Sequence, residues 1–346
     1  MNEQRINKKT VKTNFKATLA NAGFDGFLLL LAAMIILAYF FPSLGVREKP
    51  VSLAEITNYG ITLIFFFYGL RLSFQRLRAG LGNWRMHVVI QLTTFLFFPL
   101  VALLFKPLFK GNDLYLLWLG TFFLASLPST VSSSVVMVSI AGGNLPAAIF
   151  NATISSVLGI FITPLWMSLV LAGNGQKFDF QSILFKLILQ VLLPFAVGVA
   201  LHRYFGNFAE THRKKLRYFD QSVILLIIYT AFCHSFTLGI FKDYNISDIV
   251  LLTLAMAALF FSSYIFILAV GRFLKFDQDD TIAVLFCGSK KSLVHGTLMS
   301  KVFFQDSGVA GIILLPIMIY HALQLIAASI VARRIAHQKG KITGSE

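Results

Sequence analysis

Two short polar phrases interrupt otherwise apolar stretches of this sequence, and both carry chemistry. The first is Pro128-Ser129-Thr130-Val131-Ser132-Ser133-Ser134, between an apolar run ending at Leu127 and one resuming at Val135. The second is Cys287-Gly288-Ser289-Lys290-Lys291-Ser292, between Phe286 and Leu293. Pro128 has no N–H to donate and disturbs the turn before it. The hydroxyls that follow can satisfy the backbone groups this frees. Gly288 permits an irregular backbone. A lysine at the centre of a bilayer costs about 2.5–3.5 kcal/mol, so Lys290 and Lys291 are expected to face a cavity or a partner. Hydroxyls, loose carbonyls and ammonium groups gathered in one place can hold an ion or the acidic group of a solute. Close helix packing also uses Ser and Thr, and the first phrase alone is open to that reading; the second alone is open to being a loop, with the ninth span miscounted.

The elements that position these phrases are membrane helices. Hydrophobic residues make up 57% of the 346 and charged residues only 13%, about half the charged share of a soluble domain. Apolar runs, each near the roughly 20 residues that cross hydrocarbon, are read at 24–41, 56–74, 86–106, 114–141, 146–173, 181–202, 219–241, 248–271, 280–304 and 308–332. This predicts an all-α membrane protein of about ten spans. A polar, basic tail at 1–20 precedes a transporter domain at 24–335, and a second tail follows at 336–346. Cys233 and Cys287 both fall in apolar runs and read as neither a disulfide framework nor a metal site.

The net charge of +15 would suggest nucleic acid in a soluble protein. Here its placement is a topology signal. Lys8, Lys9, Lys12 and Lys16, then Arg71, Arg76, Arg78 and Arg85, then Arg213, Lys214, Lys215 and Arg217, then Arg333 and Arg334, fall on one side of the membrane. The positive-inside rule makes that side, and both termini, cytoplasmic. The expected setting is a bacterial inner (plasma) membrane, with the lipid bilayer and not nucleic acid as partner.

The interrupted runs are the fourth of the first five spans and the fourth of the second five. Five is odd, so the halves 24–173 and 181–335 are inverted relative to each other. Interrupted helices at matching positions of two inverted halves point to a secondary transporter with its site near the membrane midplane.

The phrases Phe67-Tyr68-Gly69-Leu70-Arg71-Leu72, Ile90-Gln91, Leu127-Pro128-Ser129 and, above all, Phe286-Cys287-Gly288-Ser289-Lys290-Lys291-Ser292-Leu293 resemble the bile acid:sodium symporter family. The resemblance is nearest to the branch of that family containing its seventh vertebrate member, and it spans about residues 24 to 335. It implies two inverted five-helix repeats, a panel domain of helices 1, 2, 6 and 7, and a core domain of helices 3, 4, 5, 8, 9 and 10. Broken helices 4 and 9 cross in the core, and an organic anion sits between the domains. It implies two sodium sites, the first at Ser133 and Ser134 with Thr153 or its neighbour Ala152 close by, the second at Gln91. Asn151 and Ser155 share that helix face by i,i+4 spacing, and Ser129, Thr130, Ser289 and Ser292 line the breaks.

This sequence departs from the family where the cation would bind. Phe286 stands where the symporters keep an acidic residue, and Lys290 and Lys291 stand at glutamine and asparagine positions. Hard cations want oxygen ligands, preferably charged, and two ammonium groups repel them. One reading puts an ammonium in place of a sodium ion, with Gln91, Ser133 and Ser134 as acceptors. The other has a lysine binding an anionic substrate or carrying a proton. The coupling species is sodium, a proton or nothing; no other cofactor is expected. No HExxH, phosphate-binding glycine loop or GxSxG is present, which argues against an enzyme. The expected function is alternating-access transport of a small organic anion; the alternative is a sensor or regulator that keeps the fold without transporting.

Overall fold

The computed structural model of the protein describes residues 26–47, 52–72, 82–109, 114–172, 185–304 and 308–343. The N-terminal tail expected at 1–20 lies outside the described residues. The principal helices are α1 (Gly26–Phe40), α2 (Leu53–Leu70), α3 (Trp84–Leu104), α4a (Tyr115–Ser126), α4b (Ser132–Ile140), α5 (Leu145–Ala172) and α6 (Phe185–Thr211). They continue with α7 (Arg213–Thr237), α8 (Ile246–Phe273), α9a (Gln278–Gly288), α9b (Leu293–Phe304) and α10 (Ala310–Thr343). No strand occurs among the described residues. Seven of these helices, α2, α3, α5, α6, α7, α8 and α10, are long and apolar enough to cross a membrane; α1 and α4a are shorter apolar helices.

The helices start where the sequence supplies caps. Ser52 Oγ accepts from Glu55 N at 3.3 Å at the head of α2. Asn245 and Asp248 close a reciprocal capping box on α8, and Asp277 Oδ1 accepts from Asp280 N at 2.7 Å on α9a. Each cap satisfies an orphan donor of a first turn. The outward side chains of the long helices are apolar: Phe161, Leu165 and Leu169 on α5, and Leu254, Phe261 and Ile265 on α8, are all exposed. Such a surface belongs in hydrocarbon. The chain is an integral membrane protein.

Two expectations change in detail. Residues 336–343, expected as tail, continue α10 as helix, where Lys339 Nζ binds Asp279 Oδ1 at 2.6 Å and Gly142 O at 2.7 Å. Gly288 does not need a special backbone, because it is the last helical residue of α9a. Its smallness serves packing: a Cβ there would stand 3.0 Å from Ile267 Cδ1 of α8.

The helices pack in two groups. α2 lies along α6, and α7 lies against α1 and α2. Gly69 and Gly198 bring α2 and α6 together so closely that a Cβ on Gly69 would run into Phe195 O, and one on Gly198 into Phe66 O. Small residues give membrane helices this kind of approach. In the second group, α9a packs on α3, α4b, α5 and α8, while α10 packs on α4a, α4b, α8 and α9b. α7 joins the groups through α9b and α10. At that joint Ser235 Oγ donates to Gly308 O at 2.7 Å and accepts from Gly311 N at 3.2 Å.

Candidate functional site

The two interruptions meet in the second group. α4a stops at Ser126 because Leu127 precedes a proline and is pushed to an extended conformation (φ −72°, ψ 153°). That strands the last carbonyls of the helix, which need donors from elsewhere. Each finds one. Phe123 O takes Ser126 Oγ at 2.8 Å, Leu124 O takes Leu127 N at 3.1 Å, and Ser126 O takes Thr163 Oγ1 of α5 at 2.7 Å. Pro128 O accepts from Ser292 N of the other break at 2.9 Å. The two remaining carbonyls, Ala125 O and Leu127 O, take the ammonium of Lys291 at 2.7 and 2.9 Å.

The third proton of Lys291 goes to Thr94 O of α3 at 2.6 Å. That carbonyl is free for a local reason. Pro99 brings no N–H to the ladder, and α3 widens into a π-helical turn over Thr93–Phe97. Phe95 O is left over as well, and Trp166 Nε1 of α5 fills it at 2.8 Å. Lys291 thus spends all three donors on main-chain oxygens. It is 1% exposed, and Nζ stands 4.2 Å from the centre of the Phe98 ring, a cation–π contact. The positive charge also sits at the C-terminal end of α4a, where the helix dipole favours it.

The second break is tied down just as completely. Gln324 of α10 accepts from Lys291 N at 2.8 Å and donates to Lys291 O at 2.9 Å. Tyr320 OH donates to Ser289 O at 2.7 Å, and Ser289 Oγ donates to Leu285 O at 2.6 Å. Ser129 couples the breaks: its Oγ donates to Cys287 O at 2.6 Å, and its N–H donates to Ser155 Oγ at 2.9 Å. Ser292 Oγ lies 3.1 Å from His295 Nδ1 at the head of α9b.

Lys290 has a different environment. It is fully buried, yet Nζ makes one hydrogen bond among the described residues, to Ser133 O at 2.9 Å, with the Phe286 ring centre 5.8 Å away. Beside it Thr130 Oγ1 shares hydrogen bonds with Ser133 Oγ at 2.6 Å and Ser134 Oγ at 3.0 Å. The arrangement expected for an ammonium, with Gln91, Ser133 and Ser134 as acceptors, is therefore not what forms. Only the main-chain oxygen of Ser133 is used, and Gln91 turns elsewhere. Its Nε2 donates to Asn151 O and Oδ1 at 3.4 and 3.3 Å, while Asn151 Nδ2 binds Ala147 O at 2.9 Å and lies 2.7 Å from His87 Nδ1. Asn151 and Ser155 do share a buried face. Thr153, half-buried, bonds back to Ile149 O in its own helix at 2.7 Å, so it is not brought to the crossing.

These residues do not fit a sodium ion at the crossing. Hard cations want oxygen ligands; the Thr94, Ala125 and Leu127 carbonyls where the breaks meet are taken by the Lys291 ammonium, and Lys290, the adjacent residue, brings a second ammonium beside Ser133. Thr94, Phe98, Tyr320 and Gln324, which no motif in the sequence singles out, complete the site. Pro99, seven residues before the end of an apolar run that Trp166 can reach, was the one signal of an altered helix in α3.

Long apolar helices around two interrupted helices whose polar breaks meet are the build of a membrane transporter. The sequence matches the model of the SBF-like CPA transporter family over residues 25–337. The chain belongs to that family, in keeping with its resemblance to the bile acid:sodium symporters. It is 39% identical to protein PA2026 of Pseudomonas aeruginosa, over 91% of this chain and 94% of that one. It is 34% identical to YfeH of Escherichia coli, named as a symporter, over 93% and 96% of the two chains. It is 33% identical to sodium/bile acid cotransporter 7 of Mus musculus, over 86% and 90%. The protein is a transporter-family member, not an enzyme.

Proposed function

We propose that this protein moves a small organic anion across the membrane by alternating access, without sodium. In this reading the helices form two inverted sets of five, with both termini cytoplasmic. α1, α2, α6 and α7 are the panel; the remaining helices are the core, and the anion lies in the crevice between them. The mouse relative's name pairs a bile acid with sodium; we carry over the organic anion and not the ion.

The observation that supports this most is the set of three carbonyls on Lys291. A fixed ammonium placed among carbonyls at a helix crossing does structurally what a bound cation would do, and it never dissociates. Lys290, with one acceptor and two donors to spare, then faces the substrate anion. The test is sidedness. Ser133→Cys, in a protein whose own cysteines are replaced, is to be labelled in proteoliposomes with a membrane-impermeant thiol reagent. Transport requires labelling from both sides. Labelling from one side alone contradicts transport and favours the sensor.

A further inference from the structure

Away from the crossing, the pair Arg71–Asp220 ties the end of α2 to α7. Arg71 Nη1 lies 3.2 Å from Asp220 Oδ2, and this is one contact out of several that the two groups could make. Arg71 Nε and Nη2 are buried without a hydrogen-bond partner, and so is Asp220 Oδ1. Nε and Nη2 form one edge of the planar guanidinium, with two parallel N–H donors that match the two oxygens of an acidic group. An ion pair that only joined two helices would gain by using that edge, because idle buried donors are costly.

The edge lies at the boundary between the two helix groups. The guanidinium carbon is 5.8 Å from the Tyr68 ring centre, and the Tyr68 ring is 5.6 Å from that of His295 on α9b. His295 follows directly on the break that carries Lys290 and Lys291. Its Nε2 is likewise buried without a partner. Arg71 on one side of this boundary and Lys290 on the other thus keep donors that the described residues do not use, and a His295 ring nitrogen between them is also without a partner.

We propose that Arg71 is a substrate-binding residue whose open Nε/Nη2 edge takes the oxyanion of the transported solute, a carboxylate or a sulfonate, on the panel side of the crevice. This rests on the organic-anion reading above and deepens it. Lys290 attracts the anion from the core, Arg71 reads its planar acidic group from the panel, and Asp220 holds the guanidinium by its other nitrogen. An ammonium cannot present two parallel donors, so charge alone does not replace Arg71.

The experiment is calorimetric binding to the purified full-length protein in sodium-free buffer. The probes are benzoate, benzenesulfonate and cholate, with benzamide as the uncharged control. The wild type is expected to bind at least one anion and not benzamide, and the preference between benzoate and benzenesulfonate assigns the acidic group. Arg71→Lys is expected to weaken that binding at least about tenfold. Asp220→Asn leaves the edge in place and is expected to keep or tighten it. Should Arg71→Lys fold poorly, the neutral pair Arg71→Gln with Asp220→Asn leaves no lone buried charge and is expected to abolish binding. Wild-type affinity in either Arg71 variant overturns the proposal, as does a wild type that binds none of the anions. Two-sided labelling of Ser133→Cys does not involve Arg71, so it reports separately on whether the protein transports.

Discussion

Gln324 holds Lys291 by its main chain: Oε1 accepts from Lys291 N at 2.8 Å and Nε2 donates to Lys291 O at 2.9 Å. One amide side chain from α10 thereby fixes both peptide groups of a residue that has no helix around it. Gln324 is fully buried, so its loss leaves two backbone groups without partners or water. Gln324→Leu is expected to destabilise the protein by about 2–4 kcal/mol, read as a drop in melting temperature by scanning fluorimetry. A variant that melts with the wild type would show that the break is not held this way.

The two lysines are predicted to be unequal. Lys291→Met keeps the length of the side chain but strands Thr94 O, Ala125 O and Leu127 O, at a cost of about 3 kcal/mol or more. Lys290→Met removes only a second bond to Ser133 O, a carbonyl inside α4b that keeps its intrahelical partner, and is expected to cost under about 1 kcal/mol, or nothing once the cost of burying the charge is relieved. The comparison is the melting temperature of the two variants in one detergent. Equal losses would contradict the division of roles.

At the N-terminal end of α9a the pairs are predicted to rank by burial. Asp280 is buried and accepts from Asn83 Nδ2 at 2.8 Å and Asn144 Nδ2 at 2.7 Å, joining α9a to the starts of α3 and α5. Asp280→Ala is expected to cost about 2–4 kcal/mol and to speed hydrogen exchange at the first turns of α3 and α5. The Lys339–Asp279 pair is more open, with side chains 25% and 59% exposed, and Lys339→Ala is expected to cost under about 1 kcal/mol. The reverse order would show that Asp280 is not the joint.

The all-helical membrane character, the seven long apolar helices and both breaks were legible because they depend on local chemistry: long apolar runs, a proline after Leu127, and two lysines where lipid would not tolerate them. The partners of those lysines were not legible. Thr94 O becomes an acceptor only because Pro99 and a π-helical turn disturb α3, and no spacing in the sequence connects that turn to Lys291. Gln91 and Asn151 looked like ion ligands by type, but Gln91 spends its amide nitrogen on Asn151 while its Oε1 is left buried without a partner. Gly288 looked like a backbone hinge, but it is small so that Ile267 can approach. Side-chain identity showed where polar groups gather; it could not show which carbonyls the folding chain leaves unpaired.

In the proposed function the Lys291 ammonium takes the place a sodium ion would need. The most direct measurement is the melting temperature of the purified wild type in sodium chloride against choline chloride at equal ionic strength, over a range of concentrations. The same curve is expected in both salts. A saturable rise in melting temperature with sodium alone would contradict it, because an ion that binds only the folded protein must stabilise it.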